Sequence, residues 1–336
     1  MAAVRLKDVA EHAGVSIKTV SNVVRNAENV SEATRQRVLR SIEQLGYRPH
    51  ASARHLRTGR SGIIALAVPD LSAPYFAELA AAVIVAAKKR GSTVLIEDTG
   101  GDPAEELRIA CGLSEPMLDG VLLSPLGLDQ AALAARPRRV PLVLLGEREY
   151  EVAADHVRID NVAAAREATA HLLSLGHRVV AAIGVQHGPA SATAHQRLRG
   201  YQEALFAAGI PFDPALAVQV ATYGRADGAR AMSALLDGDR RPDAVFCFND
   251  LLAEGAIRAA ADRGLGVPQD IAVVGFDDVE QSRFSVPRLS TVAPDKSELA
   301  ELAVEALIRR IGNGAEAAPR ALLAGHRLVV RESCGA

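Results

Sequence analysis

From Ile63 onward, short and almost uninterrupted apolar runs alternate with longer stretches of helical period, and the chain passes through this alternation twice. The first series of expected strands is Ile63–Val68, Thr93–Ile96, Val121–Leu123 and Leu142–Leu145. The second is Val179–Ile183, Leu216–Val220, Ala244–Phe248 and Ile271–Val274. Amphipathic stretches lie between them at Tyr75–Arg90, Ala104–Leu113, Val162–Leu175, His195–Ala208, Arg225–Leu236 and Leu251–Arg263. Gly91, Gly176, Gly209 and Gly264 are natural stops for four of these helices. Strands apolar on both faces, each followed by a helix, describe parallel sheets covered by helices. Two series predict two α/β subdomains with ligands beyond the carboxyl ends of the strands. That places function in the loops Asp70–Phe76, Ser124–Gly127, Gly184–Thr193, Tyr223, Asn249–Asp250 and Phe276–Asp278.

The first sixty residues differ in kind. They hold eleven Lys/Arg against five Asp/Glu, while the remaining residues hold 27 against 35. A basic segment on an acidic body suits nucleic acid, because positive side chains release phosphate counterions. Leu6, Val9, Ala10 and Ala13 have the spacing of one short apolar helix stripe. Gly14 turns the chain and Ser16 caps a second helix, with Val20, Val23 and Val24 inward and Ile17, Lys18, Ser21 and Asn22 opposite. Ser31 caps a third helix, with Val38, Ile42 and Leu45 inward and Gly46 as its stop. Residues 47–61 form a basic connector, either a flexible linker or a short helix at Ala51–Arg57 that needs a partner surface.

Other chemistries find little support. No apolar run reaches the length of a membrane span, the first twenty residues carry charges, and three separated cysteines form no paired motif. A reducing cytoplasm is the expected compartment. Asp98-Thr99-Gly100 matches a protease triplet but follows an α/β strand. Gly312-Asn-Gly314 reads as a helix stop rather than a phosphate cradle, and the histidines lack zinc-ligand spacing. No enzyme, cofactor or metal is expected.

The run from Leu6 to Val24 has helix-turn-helix spacing: Ala10 lets the helices approach, Gly14 turns, and Val15 and Val20 lock the pair. With Val30-Ser-x-x-Thr-Arg35, Leu45-Gly-Tyr-x-Pro49 and Ala53-x-x-Leu56, it resembles the lactose-repressor (LacI) family of bacterial transcription regulators. The resemblance implies that Ile17, Lys18 and Asn22 read base edges, Lys18 reaching either a guanine or a phosphate. It places Ser16, Thr19 and Ser21 near phosphates, although Ser16 also suits capping and Thr19 packing. Ser31 and Ala53 join the DNA-contacting set, and Leu56 is implied to wedge into the operator's minor groove. Asn22 stands where arginine is frequent, and asparagine suits adenine where arginine suits guanine.

The resemblance extends to the C-terminus through Pro74-Tyr-Phe76, Val157-Arg-Ile-Asp-Asn161, Arg197-Leu-Arg-Gly-Tyr201, Phe248-Asn-Asp250 and Val274-Gly-Phe-Asp-Asp278. It implies a small all-α helix-turn-helix head on an α/β periplasmic-binding-protein-like core of two parallel-sheet subdomains. The head would be 1–48 and the hinge 49–60. The near subdomain would be 61–160 with 292–322, and the far one 161–291 with 323–336. Arg197, Asn249 and Asp277 are implied to hydrogen-bond an effector, with Tyr75, Phe76 and Tyr223 as aromatic walls; Asn249 and Asp277 also suit loop capping. Ser124, Ser191 and Thr193 are further polar candidates, and Asp160 either contacts the effector or braces the hinge. Gly146 stands where some sugar-responsive members carry an acid. The implied function is a homodimeric repressor of palindromic operator DNA, controlled allosterically by a small molecule such as a sugar. A purine-type co-repressor is the alternative, and a solute-binding protein a more distant one.

Overall fold

The computed structural model describes residues 4–24, 30–47, 60–112, 118–137, 140–148, 150–188, 191–313 and 318–335. The chain divides into two units, Met1–Gly62 and Ile63–Ala336.

In the first unit, α1 (Leu6–Ala13), α2 (Ile17–Val24) and α3 (Glu32–Leu45) enclose Val9, Ala10, Ala13, Val20, Val23, Val38 and Tyr47. Gly14 takes φ 62°, a left-handed turn that only glycine enters without strain. It lets Val15 N–H reach the Ala10 carbonyl at 3.0 Å, which fixes how sharply α2 leaves α1. Ser16 Oγ accepts from Thr19 N–H at 3.1 Å and so caps α2. Val24 is 37% exposed rather than inward, because it stands one position off the buried Val20–Val23 stripe. The Ser31 hydroxyl does not cap α3 but donates to Thr34 Oγ1. Ala53, Leu56 and the expected helix at Ala51–Arg57 lie outside the described residues.

The second unit contains two six-stranded sheets. The first has the order β11-β5-β4-β3-β1-β2, from β1 (Ile63–Val68), β2 (Thr93–Asp98), β3 (Gly120–Leu123), β4 (Leu142–Leu145), β5 (Asp155–Ile159) and β11 (Ala321–Ala324), all parallel. The second has the order β12-β10-β9-β8-β6-β7, from β6 (Val180–Val185), β7 (Ala217–Gln219), β8 (Ala244–Cys247), β9 (Ala272–Phe276), β10 (Ser290–Pro294) and β12 (His326–Val329). Only β12 runs antiparallel.

Helices α4 (Pro74–Lys89), α5 (Pro103–Ala110) and α6 (Gln130–Ala135) belong to the first series. Helices α7 (Asn161–Ser174), α8 (Ala192–Ala207), α9 (Arg225–Asp237) and α10 (Asp250–Asp262) belong to the second, and α11 (Lys296–Asn313) returns to pack on the first sheet. The chain therefore changes sheet three times. Pairing puts the last two exchanges after Pro294 and after Ala324, two or three residues later than the expected boundaries at 291/292 and 322/323. The reason is that β10 must extend to Pro294 to pair with His326, while Leu323 and Ala324 still pair with β5. Helix α11 ends at Asn313, within the expected Gly312-Asn-Gly314 stop. No described helix is long and apolar enough to cross a membrane.

Helices α7 and α8 pack closely because Gly200 has no side chain. A Cβ there would lie 2.3 Å from the Val162 carbonyl oxygen and 2.8 Å from Ala165 Cβ. Gly200→Ala is expected to destabilise the body by about 1–3 kcal/mol through overpacking, despite alanine's better helix propensity. Urea denaturation of the purified variant measures this, and an unchanged midpoint would show that the helix pair yields.

Candidate functional site

Polar side chains from both series gather where the parallel strands end, and Arg197 is their hub. It stands on the second turn of α8 and is 6% exposed. Its Nε donates to Asn161 Oδ1 at 2.7 Å and a terminal nitrogen donates to the Phe248 carbonyl. The other terminal nitrogen is 3.9 Å from Asp277 Oδ1, and the guanidinium lies 3.5 Å from the centroid of the Phe276 ring. An aromatic face in a dry setting stabilises a planar cation that water no longer solvates.

Asp277 and Asp278 both have positive φ, 112° and 46°. Such backbone conformations cost a side-chain-bearing residue energy and persist only when their surroundings hold them. Here Asp277 N–H donates to the Val292 carbonyl at 2.8 Å, and Asp278 pairs with Arg331 and Arg283. The fully buried Asp250 at the start of α10 takes the rest of the loop. It accepts from Val279 N–H at 3.0 Å, from the Ser282 hydroxyl at 2.7 Å and from the Thr291 hydroxyl at 2.5 Å.

Burial pushes the Asp277 carboxyl up to about 6, although Arg197 and Lys296 oppose the shift. Burial, and then the charge of Asp277, pushes Asp250 up to about 7 despite its three donors. Both folded values exceed the ordinary carboxylate range, so the stabilising form is the protonated one. Its contribution is fully present below about pH 4 and is lost as pH rises through about 6 to 7. The native protein is therefore expected to lose Tm between pH 5 and 7.5, and Asp250→Asn to flatten that decline. Parallel calorimetric curves for the two proteins would contradict this.

The walls are aromatic. Tyr75 and Phe76 meet edge to face with centroids 5.2 Å apart, and Lys296 Nζ lies 5.8 Å from the Tyr75 ring. Tyr223 donates its hydroxyl to the Gly184 carbonyl at 3.1 Å. Burial raises the pKa of both tyrosines, so each presents a neutral phenol. Glu147 stands two residues after β4. Its carboxylate accepts from the Thr193 hydroxyl at 2.7 Å and its carbonyl from Gln196 at 3.1 Å. An acid thus stands one residue after Gly146.

Several expected contacts serve local structure. Asn249 Oδ1 caps α10 through Leu252 N–H, and its Nδ2 donates to the Tyr223 carbonyl. Asp160 is exposed and caps α7 through Ala163 N–H at 2.9 Å. Ser191 is buried and donates to the Gly188 carbonyl. Ser124 is half-buried on the loop after β3. Glu147, Asn161 and Asp250 were not among the expected site residues. Asn161 and Asp250 lie inside motifs that pointed to their neighbours, and Glu147 had no signal beyond its place beside Gly146.

In the head, Ile17 is 49% exposed and Lys18 is exposed, while Thr19, Ser21 and Asn22 are half-buried on α2. Ser16 Oγ lies 2.9 Å from Thr19 Oγ1, so the two hydroxyls are engaged with each other as well as with the helix start. A short helix that exposes an isoleucine beside a lysine has a surface suited to a groove with methyl groups and acceptors.

Residues 5–50 match the bacterial regulatory proteins of the lacI family, and residues 169–334 match the periplasmic binding protein-like domain. The ribose operon repressor of Haemophilus influenzae is 35% identical over 329 residues, covering 98% of each chain. The structure of a CelR–cellobiose complex superposes with a TM-score of 0.73 at 32% identity, covering 98% of this chain and 99% of that one. The lac repressor dimer bound to operator and the anti-inducer ONPF gives a TM-score of 0.84 at 29% identity over all of both chains. With the family's sequence in its head and this identity along nearly its whole length, the chain belongs to the lacI family of bacterial regulatory proteins.

Proposed function

We propose that this DNA-binding transcriptional regulator is a homodimeric repressor whose hold on a two-fold symmetric operator is set by a sugar in the Arg197–Asp277 site. The observation that carries the reading is a buried polar set with one donor left over. Asn161 is fully buried, its Oδ1 is taken by Arg197, and its Nδ2 has no hydrogen-bond partner. An unmet buried donor is costly, and a ligand hydroxyl accepting from it would offset that cost. Beside it, Asp277 accepts from hydroxyls, Arg197 donates to ring oxygens, and Tyr75 and Tyr223 supply flat apolar faces. Relatives named for ribose and solved with cellobiose support the same ligand class.

The head supplies Ile17, Lys18 and Asn22 to base edges, with Ser16, Thr19, Ser21 and Ser31 toward the backbone and Ala53 and Leu56 in the hinge segment. Base contacts specify and phosphate contacts position. The sugar acts only through its different affinity for the DNA-competent and DNA-incompetent states. Binding of the purified protein to DNA upstream of its own gene, at fixed salt and with pooled sugars, sugar phosphates or purines, tests the proposal. Tight binding weakened by the sugar pool is expected. Binding that appears only with the purine pool would replace the repressor–inducer reading with a co-repressor one.

A further inference from the structure

Beyond β12, residues 331–335 pack on β9 and β10 around a short 3-10 turn, Glu332–Cys334. The segment is polar, yet Ser333 and Cys334 are buried. Ser333 Oγ donates to the Val273 carbonyl at 2.6 Å and accepts from Ser290 N–H at 2.8 Å. The N–H groups of Glu332 and Ser333 both donate to the Arg288 carbonyl at 3.1 Å. The Glu332 carboxylate accepts in return from Arg288 N–H at 2.8 Å and from its Nε at 2.9 Å. Backbone groups paired this fully hold the segment in one place on the sheet.

The residue so fixed is Arg331, whose own N–H donates to Ser290 Oγ at 2.8 Å. Its side chain reaches both ends of the loop that joins β9 to β10, residues 277–289. One terminal nitrogen donates to the Leu289 carbonyl at 2.7 Å and the other to Asp278 Oδ1 at 2.5 Å. The guanidinium thus closes the loop at its second residue and at its last. A planar fork holds two acceptors in fixed geometry, which a lysine cannot do. Asp278 is buried and the Arg331 side chain nearly so, and water competes poorly for such a pair. The other cation on Asp278, Arg283, is mostly exposed and belongs to the loop itself, so it moves with the loop. The closure has strain to hold, because Asp277 and Asp278 both stand at positive φ.

We propose that Arg331 is a positioning residue for the effector: it holds Asp277 in place through Asp278, and so sets the response to sugar without touching it. The proposal rests on the reading that Asp277 binds the effector. It makes the C-terminal segment, far from the cleft in sequence, part of the regulatory apparatus.

Hydrogen exchange of the full-length protein, with release from the DNA upstream of its gene by ribose and by cellobiose, tests the proposal. In Arg331→Gln the amides of Asp277 and Val279, bonded to the Val292 carbonyl and the Asp250 carboxylate, should lose their protection, while those of β6 and β8 keep theirs. Release should need about ten times more sugar, because a loop ordered in about a tenth of the molecules raises the apparent Kd by that factor. Arg331→Lys should fall between the two, and Arg283→Gln should stay near native in both readouts. Asp278→Asn combined with Arg331→Gln should be less impaired than Arg331→Gln alone, since it removes the stranded carboxylate and asparagine tolerates positive φ. Protection lost equally across β9, β10 and β12 would mean that Arg331 only stabilises the sheet, and additive losses would mean that it acts other than through Asp278. Either result overturns the proposal, as does a native sugar response with a disordered loop. If neither sugar releases the native protein, the effector reading fails for these sugars, and exchange still decides whether Arg331 places Asp277.

Discussion

Arg197→Ala should abolish the response of operator binding to sugar and destabilise the body by about 3–5 kcal/mol, the cost of leaving a buried charge without its partner. Two acceptors, the Asn161 Oδ1 and the Phe248 carbonyl, lose their donor, and the Asp277 carboxylate loses its ion-pair partner. The Phe276 ring loses the guanidinium stacked on it. Water cannot fully replace these contacts, because Asn161 and Phe276 are completely buried and Asp277 is 8% exposed. The double variant Arg197→Ala/Asp277→Asn should be more stable than Arg197→Ala alone, since it removes the charge that the first change strands. Asp277→Asn by itself should keep the fold and lose sugar affinity, because an amide oxygen accepts from hydroxyls more weakly than a carboxylate does. Urea denaturation and titration with the identified sugar measure the two effects separately. Additive stability losses in the double variant would show that Arg197 and Asp277 are not coupled across their 3.9 Å gap.

The sequence disclosed the fold well where strands are apolar throughout. Ile63–Val68 and Leu142–Leu145 occur as expected, because both faces are covered and every residue is apolar. Two strands with charged or hydroxyl residues, Asp155–Ile159 and Ser290–Pro294, were hidden. Asp155–Ile159 alternates Asp, His and Arg with apolar residues, and its buried Asp155 is tolerated only because arginines from residues 309, 310 and 320 surround it. Ser290–Pro294 is buried along its length, yet it begins Ser-Thr. Those hydroxyls are satisfied by Cys334 and Asp250, partners distant in sequence. Local periodicity cannot register such long-range compensation.

The candidate site was legible in two ways. Tyr75, Phe76, Tyr223 and Asp277 fall in loops that the strand–helix pattern marks, whereas Arg197, on the second turn of α8, was reached only through its motif. What the pattern does not encode is division of labour within a motif. Of the adjacent pair Asn249 and Asp250, the first caps its helix while the second, completely buried, anchors the loop that carries Asp277. Only the directions of the side chains separate the two roles.

Leu56→Ala should lower affinity for the operator by about a hundredfold or more, equivalent to about 2.7 kcal/mol, while nonspecific DNA affinity falls by less than about threefold. The expectation rests on the hinge sequence Ala53-Arg-His-Leu56 and on membership of the family. Opening a base step costs a few kcal/mol, and the bent duplex repays it through contacts that a straight duplex does not make. An alanine is too short to hold the step open, so both the wedge and the contacts that depend on the bend are lost, once from each protomer of the dimer. Nonspecific binding does not bend the DNA and draws on phosphate contacts, which alanine leaves intact. The salt dependence of binding should consequently keep its slope in Leu56→Ala. Lys18→Ala should reduce that slope by about one if Lys18 contacts a phosphate, and leave it unchanged if Lys18 reads a guanine edge. Fluorescence anisotropy across a salt series, with operator and scrambled duplexes, resolves both quantities for both variants. Equal loss on the two duplexes would mean that Leu56 packs within the protein, and that the operator is distinguished by Ile17, Lys18 and Asn22 alone.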